Sequence, residues 1–233
     1  MEAREILRGS GILLSISSLP SPYGIGTLGK EAYSFVDLLS DLKQKYWQVL
    51  PVGPTIFGDS PYQPLSGFAG NIYFIDLDKL ADEGLLKKEE ILGYNWGADE
   101  SEIDYAALHQ NRYKILQKAF ERFDTNAQEF QDFVKKHSGW LEQYALFMTL
   151  KTDNLDKNWS EWSNEYRDLQ TVALENYQKK NYNKITFWEF CQYKFFEQWN
   201  DLKDYANSKG IYIIGDISFY VGYDSVDVWA ERQ

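Results

Sequence analysis

One cysteine, Cys191, is all the thiol in 233 residues. No disulfide can form within the chain, which suits a reducing compartment, and its place among helical aromatics reads as a buried small hydrophobe rather than a nucleophile. Histidine is nearly as scarce: His109 and His137 stand in helical segments with no Cys or His partner at ligand spacing, which argues against zinc. No metal and no cofactor is expected. Positive charge is short as well, 24 Lys and Arg against 35 Asp and Glu for a net −11. Scattered carboxylates repel nucleic-acid phosphate and anionic lipid, so no nucleic-acid or membrane partner is expected and a neutral one fits better. No apolar run reaches the roughly 18 residues of a membrane span. Met1-Glu2-Ala3-Arg4-Glu5 lacks the basic-then-apolar layout of a signal peptide, so a cytoplasmic protein is the expectation. Proline, finally, is absent after Pro64.

What is present is an ordinary globular composition, 44% hydrophobic and 25% charged, unusually rich in aromatics at 17%. Gly11 to Ser17 reads as a short buried strand carrying Ile12, Leu13, Leu14 and Ile16. From Lys30, Ala32, Phe35, Val36, Leu39 and Leu42 recur at helical steps on one face. A second strand follows, with Trp47, Val49, Leu50 and Val52. A strand, a helix and a strand make a βαβ unit with parallel strands. Ile72, Phe74 and Ile75 suggest an extended segment, after which Asp76 starts a long helical region.

Amphipathic spacing recurs there at Tyr113, Leu116, Phe120 and Phe123, at Trp140, Leu141, Tyr144, Ala145 and Met148, and at Trp159, Trp162, Tyr166 and Leu169, so most aromatics read as core. Ser101 with Asp104 and Thr186 with Glu189 resemble capping boxes. The helix expected from Thr186 runs toward a stop at Gly210. Ile211, Tyr212, Ile213 and Ile214 then form a third strand ending in Gly215-Asp216-Ile217. The expected organisation is residues 1–76 as two βα units, 77–183 as an inserted helical subdomain, and 184–233 as a helix, third strand and loop.

In a parallel sheet all C-terminal strand ends share one edge, so the loops 18–29, 53–71 and 216–225 belong together. The second loop interleaves Pro54, Pro61 and Pro64 with Gly53, Gly58, Gly67 and Gly70, which specifies one loop shape. It carries Asp59, Ser60, Tyr62 and Gln63. An aromatic face beside short donors and acceptors suits a sugar, whose C–H face stacks on a ring while its hydroxyls need fixed partners. Gly24-Ile25-Gly26-Thr27-Leu28-Gly29 also spells G-x-G-x-x-G, the dinucleotide fingerprint. That reading, a NAD-binding oxidoreductase, fails on two counts. Residues 19–23 separate the motif from its strand, and no acidic residue ends the next strand to hold a ribose.

Gly58-Asp59-Ser60-Pro61-Tyr62-Gln63-Pro64 with Phe68-Ala69-Gly70-Asn71 resembles the signature of the 4-α-glucanotransferases, the amylomaltases or disproportionating enzymes of glycoside hydrolase family 77. Three further segments resemble that family in its order. These are residues 17–29, Lys45-Tyr46-Trp47-Gln48-Val49-Leu50-Pro51, and Gly215-Asp216-Ile217 with Asp224-Ser225-Val226-Asp227-Val228-Trp229-Ala230. The resemblance covers the whole chain, which looks like the first half of such an enzyme.

The resemblance implies an α/β fold of the (β/α)8 TIM-barrel class, here three barrel strands plus a large helical insertion. It also implies retaining transfer of an α-1,4-glucan segment to another glucan or to glucose. The partners would be α-1,4-glucans, maltooligosaccharides and glucose. No catalytic residue is nominated, because the family's carboxylates come from later strands, beyond Gln233. By carry-over, Asp59, Ser60 and Tyr62 line the donor side, Asp216 faces the cleft, and Asn71 and Asp224 are further candidates. Two departures stand out: Ser15 where the family often has histidine, and Ile72 where it usually has proline. The alternatives are a non-catalytic glucan-binding piece and a glucan hydrolase of the same barrel class.

Overall fold

The computed structural model describes residues 8–55, 59–97, 99 and 101–231. Three short strands, β1 (Gly11–Leu13), β2 (Tyr46–Gln48) and β3 (Tyr212–Ile214), form a parallel sheet in the order β1-β2-β3. The register aligns Ile12 with Trp47 and Trp47 with Ile213. Trp47 is fully buried at the centre of the sheet, its indole N–H donates to the Leu14 carbonyl at 2.8 Å, and its ring meets Phe35 edge-on at 5.0 Å. Phe35 belongs to α1 (Lys30–Asp41), which buries Ala32, Val36 and Leu39 as their spacing requires.

Three expectations need correction. The first strand is shorter than residues 11–17, giving way to a 3-10 turn at Ile16–Ser18, and it is not buried: Leu13 is 57% exposed. Only β2 pairs with it among the described residues, so the continuous apolar run has no cover on its far side. The extended segment at Ile72–Ile75 is also a 3-10 turn, Ile72–Phe74, followed by α2 (Leu77–Asp82). Asn71 accepts from Tyr73 N–H and Asp76 from Lys79 N–H, and these local side-chain bonds replace a strand ladder. Neither capping box forms as expected. Asp104 is itself the N-cap of α4 (Tyr105–Phe120), and Thr186 lies a turn inside α8 (Tyr182–Ser208), its hydroxyl donating to the Tyr182 carbonyl.

The helical layer also contains α3 (Lys88–Leu92), α5 (Gln128–Asp153), α6 (Asn164–Arg167) and α7 (Thr171–Lys180), and the last helix among the described residues is α9 (Val226–Ala230). Its axis is α8, a 27-residue helix packed against α5 along one side and reaching α1, α4 and β3. It buries Phe187, Trp188, Phe190, Cys191, Phe195 and Leu202, and ends at Gly210, whose φ of +74° supplies the left-handed turn into β3. Most of the helical aromatics are core: Phe147, Trp162 and Trp229 cluster with centroids 5.3 to 5.7 Å apart. The buried residues form one continuous cluster from Ile16 to Trp229, and the position 183/184 falls inside the first turn of α8.

Candidate functional site

Two of the three strand-end loops are joined directly. The Tyr62 hydroxyl donates to Asp216 Oδ2 at 2.8 Å, across 154 residues of sequence. Around that bridge, Ser218 Oγ donates to the Pro61 carbonyl, Gly222 N–H to Pro64, and Val226 N–H to Leu65 at 2.9 Å. Asp227 accepts from Gly67 N–H at 3.1 Å. Pro61 and Pro64 have no amide hydrogen, so their carbonyls enter these bonds on a stiff backbone. Tyr62 remains 40% exposed. Its hydroxyl proton is held by the Asp216 carboxylate, which pushes the Tyr62 pKa up.

Behind these loops, α8 supplies the anchor. Gln192 grips both backbone groups of Gly70, accepting from its N–H at 2.8 Å and donating to its carbonyl at 3.0 Å. One and two-thirds turns later Gln198 does the same for Asp76, at 2.7 and 3.3 Å. A carboxamide presents one donor and one acceptor side by side, which matches the two groups of one extended residue. Both glutamines are buried, so the loop's backbone is satisfied where water does not reach. Sequence reasoning missed Gln192, Gln198 and Asp227 in this role, because a helical glutamine carries no local signal of the loop it will meet.

The first loop is tied elsewhere. Leu28 N–H donates to the Phe74 carbonyl, the Thr27 hydroxyl to Asp76 at 2.6 Å, and Tyr23 to Asp78 at 2.8 Å. The fully buried Arg112 donates to the carbonyls of Tyr23 and Ile75, and burial lowers its pKa to about 10. The Gly-rich motif therefore faces protein. A Cβ on Gly24, whose φ is +78°, would strike the Trp96 carbonyl, and one on Gly29 would strike the Asp76 carboxyl. An acidic side chain thus sits at the start of α1, where a dinucleotide's pyrophosphate would have to lie.

The remaining candidates separate. Ser60 accepts from Tyr62 N–H and shapes the turn that presents the ring. Asp59 has a left-handed φ of 55° and points toward α4; burial pushes its pKa up and His109 opposes that. His109 meets Asp156 at 3.3 Å, and that contact holds the imidazole pKa above its ordinary value. Asn71, 3% exposed, is spent on capping its own 3-10 turn. Asp224 accepts from Lys151 Nζ at 2.6 Å and from Trp159 N–H, so it holds the third loop to the helical layer from behind. Ser15 caps the 3-10 turn after β1 and shares a 2.7 Å hydrogen bond with Ser17. Ile72 opens the next 3-10 turn at a position where proline would also fit. Gly58 lies outside the described residues.

Comparison with known proteins decides what this arrangement belongs to. The family model for 4-alpha-glucanotransferases, glycoside hydrolase family 77, matches residues 14–233. The chain belongs to that family. The 4-alpha-glucanotransferase of Streptococcus pneumoniae is 46% identical over 228 residues, covering 96% of this chain and 45% of its own length. That of Thermus thermophilus is 41% identical over 98% of this chain and 46% of its own. Among solved structures, the amylomaltase of Streptococcus agalactiae in complex with acarbose superposes with a TM-score of 0.92 at 42% identity, covering 97% of this chain and 46% of that one. An amylomaltase from Corynebacterium glutamicum, 17% identical with a TM-score of 0.70, shares the fold; the match covers 95% of this chain and 32% of that one. The chain spans about half the length of the curated relatives it matches.

Proposed function

We propose that this chain forms the sugar-contacting strand-end loops of a 4-alpha-glucanotransferase. The enzyme would transfer an α-1,4-glucan segment, with retention, to another glucan or to glucose. The observation that carries this reading is the Tyr62–Asp216 bridge, which joins the loops of two parallel strands and leaves the tyrosine partly exposed. The acarbose in the S. agalactiae relative supports a glucan-like ligand.

Retention needs two carboxyl groups about 5–5.5 Å apart. One attacks the anomeric carbon as the glycosidic C–O bond breaks, while the other protonates the leaving oxygen. The second group then takes the proton of the acceptor hydroxyl as it attacks the glycosyl-enzyme. At the bridge, Asp216 is already engaged by Tyr62 and Asp227 by the Gly67 amide, so the catalytic pair is assigned to the half of the family's length that this chain does not span. The (β/α)8 barrel is the closed form that would bring the two halves together. Tyr62 stacks on a glucose ring, Ser60 and Asp59 shape the turn beneath it, and Asp216 accepts from Tyr62 or a sugar hydroxyl. Asn71 and Asp224 act from behind.

The test uses an enzyme carrying this chain together with the other half. Tyr62→Phe keeps the stacking face and loses a hydrogen bond worth about 0.5–1.5 kcal/mol, or up to about 3 to a charged partner. It should therefore lower kcat/KM by between about two-fold and about 150-fold. Tyr62→Ala loses the face as well and admits water, so its loss should exceed that of Phe by about another factor of ten, with hydrolysis rising relative to transfer. A Tyr62→Ala enzyme that melts early yet keeps its transfer-to-hydrolysis ratio would make Tyr62 a packing residue instead.

A further inference from the structure

A second cleft, sharing no residue with the Tyr62–Asp216 bridge, lies where the end of α5, α6, α7 and the first turn of α8 meet, with a volume of about 450 Å3. That is within the roughly 300–1,000 Å3 of small-ligand sites. Tyr166 and Tyr177 form one wall, with ring centroids 5.1 Å apart at 61°. Both are held: the Tyr166 carbonyl accepts from the Trp229 indole at 3.0 Å, and the Tyr177 hydroxyl donates to Asp153, itself on the cleft wall, at 2.7 Å. Lys184 Nζ closes the other Asp153 oxygen at 2.6 Å. The wall is therefore built before any ligand arrives, which cuts the ordering cost of binding.

Three further side chains face this cleft without a hydrogen-bond partner among the described residues: Glu165, Asn176 and Lys180. They offer an acceptor, an amide and a donor. The formal charges cancel, Asp153 and Glu165 against Lys180 and Lys184, in a chain whose net charge is −11. A charge-balanced cleft exerts no net pull on an anionic or a cationic ligand. Flat rings beside unengaged donors and acceptors match a neutral polyhydroxylated one.

We propose that this cleft is an auxiliary site for an α-1,4-linked glucan, holding a chain on the helical layer at a place other than the strand-end loops. The choice of glucan, though not the choice of a neutral sugar, rests on the functional reading above.

The test is titration of maltoheptaose into the 233-residue chain, 15N-labelled and carrying Tyr62→Ala so that the loops do not compete. Saturating amide shifts are expected at residues 165–184. Tyr177→Ala should weaken them at least threefold. Asn176→Ala removes an exposed side chain with no internal bond from the middle of a helix, so it should not lower the melt and should weaken binding about twofold or more. If Tyr177→Ala fails to fold, the Asn176 variant decides. Absence of shifts at 165–184, or unchanged affinity in the Asn176 and Tyr177 variants, overturns the site. Equal shifts with cellohexaose overturn the α-glucan assignment. The Tyr62 kinetics are a separate measurement, so either reading can fail alone.

Discussion

At the scale of single residues, Glu189 carries a clear energetic signature. It lies on α8 facing Glu142 of α5, and burial, with that second carboxylate adding to it, raises its pKa to about 7 from an ordinary value near 4.5. A carboxyl whose folded-state pKa is raised favours the fold when protonated. Its contribution is therefore fully present below about pH 4.5 and is lost as pH rises through 7. Glu189→Gln keeps the shape and removes the titration. The stability difference between variant and parent, measured by urea melts, should grow between pH 5 and pH 8 in favour of Gln. A difference flat across that range would place Glu189 in water. Glu90 behaves oppositely: Arg122 and the Lys87 amide hold its pKa down to about 2, so the stability it lends is lost only as pH falls from about 4.5 toward 2. Neither shift was legible in the sequence. Glu189 occupies an ordinary polar slot in a helical pattern, and only the packing of α5 on α8 removes its water.

At the scale of elements, α8 decides where the loop after β2 sits, through the paired grip of Gln192 on Gly70 and Gln198 on Asp76. Gly70 is pressed so close that an added Cβ would fall about 2.0 Å from the Phe195 ring. Gly70→Ala must displace that buried ring or the loop, an overpacking cost of about 1–3 kcal/mol. Gly139, by contrast, lies in the middle of α5, exposed, with nothing within 4 Å of an added Cβ. Gly139→Ala should stabilise by about 0.5–1 kcal/mol through helix propensity alone. Chemical denaturation of the two variants should move in opposite directions; a Gly70→Ala protein as stable as the parent would show that the loop is not seated by α8. The glycine of the signature was readable as a place of close approach. What approaches it, a phenylalanine 125 positions later, was not.

At the scale of the whole molecule, the described residues leave a good deal of apolar surface in water: Leu13 at 57%, Ile217 at 79%, Phe219 at 97% and Tyr220 at 69% exposed. Ile217, Phe219 and Tyr220 fall within four positions of one loop, and apolar exposure concentrated in this way favours association. The 233-residue chain should bind a hydrophobic dye in its native state and sediment with a concentration-dependent mass; a dye-silent monomer at all concentrations would contradict this. The same chain should form no ladder of longer glucans from maltotriose, since retention needs a free carboxyl pair and the carboxylates at the bridge, Asp216 and Asp227, are engaged by Tyr62 and the Gly67 amide.

The sequence by itself determined the parallel βαβ start, the helical middle with its aromatic core, the stop at Gly210 and the family, because periodicity, capping and loop signatures are local and survive in one dimension. Tertiary structure alone decided three things. Tyr62 and Asp216 touch while the first loop turns to residues 74–78. Asn71 and Asp224 hold the scaffold, the latter through Lys151, 73 positions away. The Gly-rich motif packs on an aspartate rather than a phosphate. Apart from the Asn71 cap, which is local, each of these is a hydrogen bond or close contact between distant segments, and its partner is chosen by how the helices pack and not by the residues beside it.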